Sequence, residues 1–401
     1  MADFKYLIVG GGMTADAAVR GIRELDRSGT IGLLGAEPDP PYDRPPLSKG
    51  LWKGKPVEKI WRRTSDQGVS LCLDRRAVSI ERRNHEVIDG KGETYRYEKL
   101  LLATGGTPRR ISSAAEGVIY FRSLQDYYAL RQIVSPGRHL AVIGGGFIGS
   151  ELAAAITLDG GKALMIFPEA HIGARVFPGD LGAHIDEYYQ GKGVELRRET
   201  SLTRIEKKGD RFRVWAQPQA GGGKEEVHEV DGVVAGIGIQ PNVELAKQAG
   251  LEAEDGIVVD PHLRTADPSI FAAGDVAAFW NPALSKRMRV EHEDNANTMG
   301  MAAGKAMAGQ LEEYTHLPFF YSDLFDLGYE AVGELDPRLT VVADWKKPGQ
   351  EGVLYYLKGG RVRGVLLWNV WNQVAAARQL IADPGPFGRE NLIGRLPEAH
   401  K

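Results

Sequence analysis

The chain has 401 residues, 43% of them hydrophobic, and a formal net charge of −3. That length allows more than one core, and the weak negative balance gives no basic field for a polyphosphate backbone, so no nucleic-acid partner is expected. Membrane insertion is not expected either, because the most apolar stretch, His139 to Leu158, is split by glycines and by Glu151; Met1-Ala-Asp-Phe-Lys5 leads straight into a strand pattern without a targeting peptide, which makes the cytoplasm the expected compartment.

The first element is the apolar strand Tyr6-Leu-Ile-Val9, followed by the glycine fingerprint Gly10-x-Gly12-x-x-Ala15 and a helical run. Glycines at this spacing make the strand-to-helix turn and admit a pyrophosphate to the helix N-terminus. After a second strand, Ile31-Gly-Leu-Leu34, Glu37 stands where a ribose hydroxyl partner belongs. Gly68 to Leu102 alternates as a β-meander and closes on Ala103-Thr104-Gly105. Cys72, the only cysteine, sits in one of its strands as a small buried residue, so no redox disulfide can form within the chain.

From about Ser112 the plan repeats. Leu140-Ala-Val-Ile143 leads into Gly144-x-Gly146-x-x-Gly149, and Leu164-Met-Ile-Phe167 is followed by Glu169. A second meander (Val194 to Val214), a glycine hairpin tip at Gly221-Gly-Gly223 and a closing strand ending at Gly238 complete the unit. Two fingerprints, each with its acidic residue, predict two bound dinucleotides. Ser269 to Ala273 reads as a strand returning to the first domain and ends on Gly274-Asp275; Asp294 to Gly309 reads as a helix. From Leu317 the chain turns aromatic, with a hairpin around Lys358-Gly-Gly360 and a helix from about Asn372 to Ala382. The fold class is α/β: a discontinuous Rossmann-like domain (1–111 and 239–316), a second one (112–238), and a C-terminal β-rich α+β domain (317–401).

Several longer stretches carry a resemblance: Pro41-Tyr-Asp-Arg44-Pro-Pro-Leu-Ser-Lys49, Phe167-Pro-Glu169, Arg289-Val-Glu291-His292, Tyr321-Ser-Asp323, Gly328-Tyr-Glu330 and Leu367-Trp-Asn369. Along nearly its whole length the chain resembles the FAD-dependent pyridine nucleotide reductases of glutathione reductase-like fold, the family that includes bacterial ferredoxin reductases and the apoptosis-inducing factor flavoproteins. The resemblance implies FAD at Gly10, Gly12, Met13, Thr14 and Ala15, with Glu37 on its ribose, Arg44 on its diphosphate and Asp275 on its ribityl chain. It also implies FAD contacts at Lys49, Ala77, Ala103, Thr104, Gly105, Arg122, Gly274, Glu291, His292, Glu293 and Tyr321. For NAD(H) it implies Gly144, Gly146, Phe147, Ile148, Gly149, Glu169, Arg175, Gly238, Glu291, Glu330 and Asn369. Glu169 favours NADH over NADPH, since a carboxylate repels a 2′-phosphate, and the nearby Arg175 weakens that exclusivity. No metal is implied.

The resemblance pairs Lys49 with Glu151 beside the flavin N5, as an ion pair shared between domains, and sets Phe147 over the flavin. The same residues have plainer readings: Glu151 as a first-turn acid with Lys49 on the surface, Phe147 as core packing, Asp275 as a helix cap before Val276-Ala-Ala-Phe, His292 as a structural residue. Tyr321 and Glu293 replace a tryptophan and a histidine of the family pattern, which bears on acceptor choice. The implied activity is hydride transfer from NADH to FAD and then electrons to a ferredoxin-type carrier. Two alternatives stand beside it: a quinone or oxygen as acceptor, or an NADH-sensing flavoprotein with a long-lived charge-transfer complex and an NADH-dependent homodimer. Lys286-Arg-Met-Arg289 reads as a carrier-docking patch or a solvated turn.

Overall fold

The computed structural model describes residues 2–219 and 223–396. Gly221 and Gly222 of the expected hairpin tip therefore lie outside the described residues. Contacts gather the chain into two compact units, one of Met1–Arg44, Pro56–Thr107 and Gln240–Phe319, the other of Pro45–Lys55, Pro108–Ile239 and Phe320–Lys401. The segments read from the sequence as a nucleotide domain and a C-terminal domain thus belong to one unit. Among the described residues no helix is long and apolar enough to cross a membrane.

The first unit is built on a parallel layer in the order Val69–Cys72, Ile31–Leu34, Ala2–Val9, Thr94–Leu102, with Ile270–Ala272 also parallel to Thr94–Leu102. Every residue of Ile31–Leu34 and of 6–9 is buried, as expected where both faces of a sheet are covered. The long strand Thr94–Leu102 changes partner along its length, pairing antiparallel with Glu86–Asp89 at one end and parallel with Ile270–Ala272 at the other. The alternative reading of Asp275 as a helix cap is not met: Gly274–Val276 is one 3-10 turn, and Ala277–Asn281 continues as a strand paired with Lys286–Met288. Residues 286–288 of the basic run are accordingly strand rather than turn, with Arg287 exposed. Arg287 donates to the Val259 and Ala278 carbonyls and Arg289 pairs with Glu291.

Helix Met13–Leu25 carries the first fingerprint and lies against helix Glu293–Met307. Glycines make this approach close. A Cβ on Gly304 would sit 2.1 Å from the Ala18 carbonyl oxygen, one on Gly300 2.5 Å from that of Thr14, and one on Gly21 2.3 Å from that of Met301.

The second unit holds a parallel sheet in the order Glu195–Arg197, Lys162–Ile166, His139–Ile143, Gly232–Ala235, Ile119–Tyr120. The stretch 195–197, read from the sequence as part of the meander, is an edge strand of this sheet; the meander itself is Thr200–Lys208, Arg211–Pro218 and Glu226–Val230. An antiparallel five-stranded sheet follows in the order Phe319–Leu324, Leu327–Gly333, Arg361–Trp368, Glu351–Lys358, Thr340–Lys347, and helix Val374–Ala382 packs on it.

The glycine contacts between the two helices of the first unit set an expectation. Gly304→Val forces backbone apart and costs about 3 kcal/mol, read as a fall in the thermal midpoint by circular dichroism. Gly191→Ala, at a helical glycine with nothing within 4 Å, leaves the midpoint unchanged or raises it.

Candidate functional site

In the first unit the fingerprint is assembled by close backbone contact. Gly10 has φ +134°, and a Cβ there would lie 2.0 Å from the Ala103 carbonyl oxygen, so the fingerprint is seated on the Ala103-Thr104-Gly105 run. Thr104 and Asn242 exchange hydrogen bonds of 2.8 Å, Oγ1 to one carbonyl and Nδ2 to the other. Gly274, at φ +76°, meets the Thr14 side chain instead, and a Cβ there would lie 2.2 Å from its Oγ1. Three stretches expected on one cofactor, Gly10 to Ala15, Ala103 to Gly105 and Gly274-Asp275, thereby converge. Gly12 has nothing within 4 Å of its Cβ position, and it begins helix Met13–Leu25 without a side-chain cap, which leaves an open approach to first-turn N–H groups.

Glu37 accepts from the Tyr42 hydroxyl at 2.6 Å on one oxygen and from the Arg44 guanidinium on the other, and Arg44 also donates to the Tyr42 hydroxyl at 3.0 Å. Tyr42 is a member of this cluster that sequence reasoning did not single out, although it stands inside the most specific stretch. Glu291 accepts from Arg289 at 2.6 Å, and Arg289 also donates to the Asp275 carbonyl at 3.0 Å. His292 is the N-cap residue of helix Glu293–Met307, with Glu293 in its first turn. Ala77 begins the strand Ala77–Glu81. Arg122 lies in the second unit, where its backbone N–H donates to Asp126.

The second fingerprint is tighter still. Gly144, at φ +112°, approaches the Gly236 carbonyl, and a Cβ on Gly149 would lie 2.0 Å from the Gly144 carbonyl oxygen. Gly146 has nothing within 4 Å and begins helix Phe147–Leu158 without a side-chain cap. Beyond strand Lys162–Ile166, Glu169 accepts from Arg175 Nη2 at 2.7 Å and Nε at 3.1 Å, and Arg175 is itself 85% exposed. Ile148 is exposed at the mouth of the turn. Gly238 takes φ +87°, and its carbonyl accepts from Arg109 N.

Glu151, the fifth residue of that helix, lies in its second turn rather than its first and is 3% exposed. Its Oε1 accepts from Lys49 Nζ at 2.7 Å and Ser322 Oγ at 2.6 Å, and its Oε2 from Ser48 Oγ at 2.5 Å. The pair read from the sequence as shared between domains is internal to the second unit. Leu47 and Trp52 explain this, since both are buried, and Trp52 lies edge-on to Tyr127 at 5.6 Å. Burial first, then the Glu151 charge, hold Tyr189 and Tyr329 well above the usual phenol range.

Phe147 is half-buried against Phe320 at 5.1 Å and Tyr329 at 6.5 Å. Tyr321 lies with its ring 5.2 Å from Lys49 Nζ. Among the described residues Glu330 Oε2 is buried without a hydrogen-bond partner, and burial raises its carboxyl above the ordinary 4.5, with the Asn372 backbone opposing. Asn369, at φ +50°, spends its amide locally: Oδ1 accepts from Gly328 N at 2.7 Å and Nδ2 donates to the Gln350 carbonyl at 2.6 Å. Open glycines, uncapped helix starts and an orphaned carboxylate oxygen fit two dinucleotides.

Residues 4–300 match the pyridine nucleotide-disulphide oxidoreductase family. The chain belongs to that family, and it is an oxidoreductase. Residues 303–351 and 347–383 match the C-terminal region of mitochondrion-associated apoptosis-inducing factor. The chain is 35% identical to the ferredoxin–NAD(+) reductase component of the anthranilate 1,2-dioxygenase system of Burkholderia cepacia, over 95% of both chains. It is 32% identical to the mitochondrial apoptosis-inducing factor 1 of Dictyostelium discoideum, over 94% of this chain and 78% of the relative. In structure it resembles putidaredoxin reductase in the covalent putidaredoxin reductase–putidaredoxin complex, with TM-score 0.89 and 29% identity over 97% of this chain and 95% of that one. The family is named for a disulphide, which this chain's lone Cys72 cannot form, and burial pushes its thiol up.

Removing one partner of a buried ion pair strands the other charge. Lys49→Met is expected to destabilise by about 3 kcal/mol in urea unfolding, and the double variant Lys49→Met/Glu151→Leu to recover most of it. Glu330 gives a pH signature. Its raised carboxyl binds a proton more tightly folded than unfolded, so stability falls as pH rises above 4.5. Glu330→Gln therefore raises the thermal midpoint at pH 8 and leaves it near wild type at pH 4.

Proposed function

We propose that the protein is an FAD-dependent NADH reductase that delivers electrons to a ferredoxin-type carrier. The observation that carries this reading is the buried Lys49–Glu151 pair two residues past the second fingerprint, in a chain without a second cysteine. In relatives that use a redox disulfide, paired thiols receive the electrons, a route closed to a single cysteine. When bound, FAD takes two electrons from a reduced nicotinamide and releases them one at a time, the conversion required between NADH and a one-electron carrier.

The protein's own residues do the rest. Gly10, Gly12, Ala15 and the start of helix Met13–Leu25 hold the FAD diphosphate, with Arg44 as a fixed cation and Asp275 on the ribityl chain. Gly144, Gly146, Gly149 and the start of helix Phe147–Leu158 hold the NADH diphosphate. Glu169 takes the ribose diol, and Arg175, already on Glu169, screens part of that charge. Phe147 offers a ring for the nicotinamide to stack on, and Glu330 Oε2 an acceptor for its carboxamide. Lys49, held by Glu151, offers N–H donors to the flavin ring. The match of residues 303–383 to the apoptosis-inducing factor C-terminal region supports a second reading, an NADH-sensing flavoprotein with slow turnover.

Anaerobic titration of the FAD-loaded protein with NADH, then admission of ferredoxin with cytochrome c as reporter, separates these. Rapid carrier-dependent turnover is expected; a long-wavelength band that survives air, with little turnover, favours the sensor, and equal turnover without a carrier favours a quinone or oxygen acceptor. In the same assay Glu169→Ala raises KM for NADH about tenfold, with kcat within twofold, and narrows the preference over NADPH, since it removes a contact made equally in ground and transition states.

A further inference from the structure

The Lys49–Glu151 pair is one contact in a larger arrangement. Ser48, Glu151 and Ser322 are 5%, 3% and 1% exposed, and they come from three stretches distant in sequence. Both serine hydroxyls donate to the carboxylate, one to each oxygen. A hydroxyl has one proton to donate, so both are committed to Glu151, whose carboxylate is gripped from two sides as well as by Lys49.

The geometry of the elements explains why Ser322 arrives there. Phe147 and Glu151 are four residues apart on one helix, about 6 Å along its axis. Phe320 and Ser322 are two residues apart on strand Phe319–Leu324, about 6.6 Å along it, and point to the same face. Phe320 meets Phe147 and Ser322 meets Glu151, so the strand and the helix share two rungs of nearly equal spacing. The residue between Phe320 and Ser322, Tyr321, points the other way, with its ring 5.2 Å from Lys49 Nζ. A one-residue slip of the strand would present Tyr321 and Asp323 to the helix instead.

We propose that Ser48 and Ser322 are positioning residues that fix the Glu151 carboxylate and, through it, the direction in which Lys49 presents its ammonium. With either hydroxyl gone, Glu151 has fewer donors and draws Lys49 closer to itself, at the expense of the flavin. The proposal rests on the assignment of Lys49 to the flavin made above, and its test does not use NADH.

The midpoint potential of the bound FAD is measured by dye equilibration with dithionite as reductant, for wild type, Ser48→Ala, Ser322→Ala, Ser322→Thr and Ser150→Ala. Ser150 is a buried serine on the same helix whose hydroxyl donates to the Phe147 carbonyl, not to Glu151, so its variant controls for loss of a buried hydroxyl. Ser48→Ala and Ser322→Ala are expected to lower the equilibrium constant for two-electron reduction about tenfold, roughly 30 mV for a two-electron couple. Ser150→Ala stays at the wild-type value, and Ser322→Thr, which keeps the hydroxyl, returns towards it. FAD content and thermal midpoint, recorded alongside, identify variants that have merely lost the fold. Alanine variants that hold FAD at an unchanged potential overturn the proposal, as does an equal shift in Ser150→Ala. If wild type is reduced by dithionite but not by NADH, the reductase reading fails while the potentials still report on the serines.

Discussion

A carboxylate taken out of water has to be matched by donors, and Glu151 is the point at which this requirement shapes the second unit. An isolated ion at that depth would cost several kcal/mol, so the chain brings a lysine and two hydroxyls to it. Each donor drags its segment along. The stretch Pro45–Lys55 leaves the chain's first nucleotide-binding half and joins the second unit, and strand Phe319–Leu324 is pinned along helix Phe147–Leu158. The charge reaches further: it is the second cause, after burial, that keeps Tyr189 and Tyr329 protonated.

The two glycine fingerprints use a different device, close approach at positions that carry no Cβ. Gly10 against Ala103 and Gly149 against Gly144 bring main-chain groups closer than any Cβ would allow, and Gly274 leaves room for the Thr14 side chain. Gly12 and Gly146 face open space and leave N–H groups unclaimed by side chains. Some glycines close the scaffold and others open the site, and their positions within one short motif separate the two roles. Beyond the second fingerprint, by contrast, Glu169 is paired with an arginine that stands largely in solvent.

Much of the fold was legible because its signals are local. Apolar runs bounded by glycine turns located strands Ala2–Val9 and His139–Ile143, and the period of the Lys358-Gly-Gly360 hairpin located Glu351–Lys358 and Arg361–Trp368. Where one residue's surroundings decided the outcome, local reading failed. Asp275 before Val276-Ala-Ala-Phe has the composition of a helix start, yet the chain continues as a strand because Lys286–Met288 pairs with it. The segment 195–197 has a meander's alternation, and Lys162–Ile166 recruits it into the parallel sheet.

The site divides in the same way. Sequence by itself determined the two fingerprints with their acidic residues and the absence of a redox disulfide within the chain, since motif spacing and residue chemistry carry these, while resemblance to the family supplied Lys49 and Glu151 as partners. Tertiary structure alone decided that Ser48 and Ser322 complete the Glu151 cluster, that Tyr42 joins Glu37 and Arg44, that Asn369 spends its amide on Gly328 and Gln350, and that Glu330 keeps one oxygen buried and unpaired. The reason is physical. A serine in a strand or beside a lysine carries no pattern of its own, and its role exists only once folding has brought a distant carboxylate within reach of its single proton.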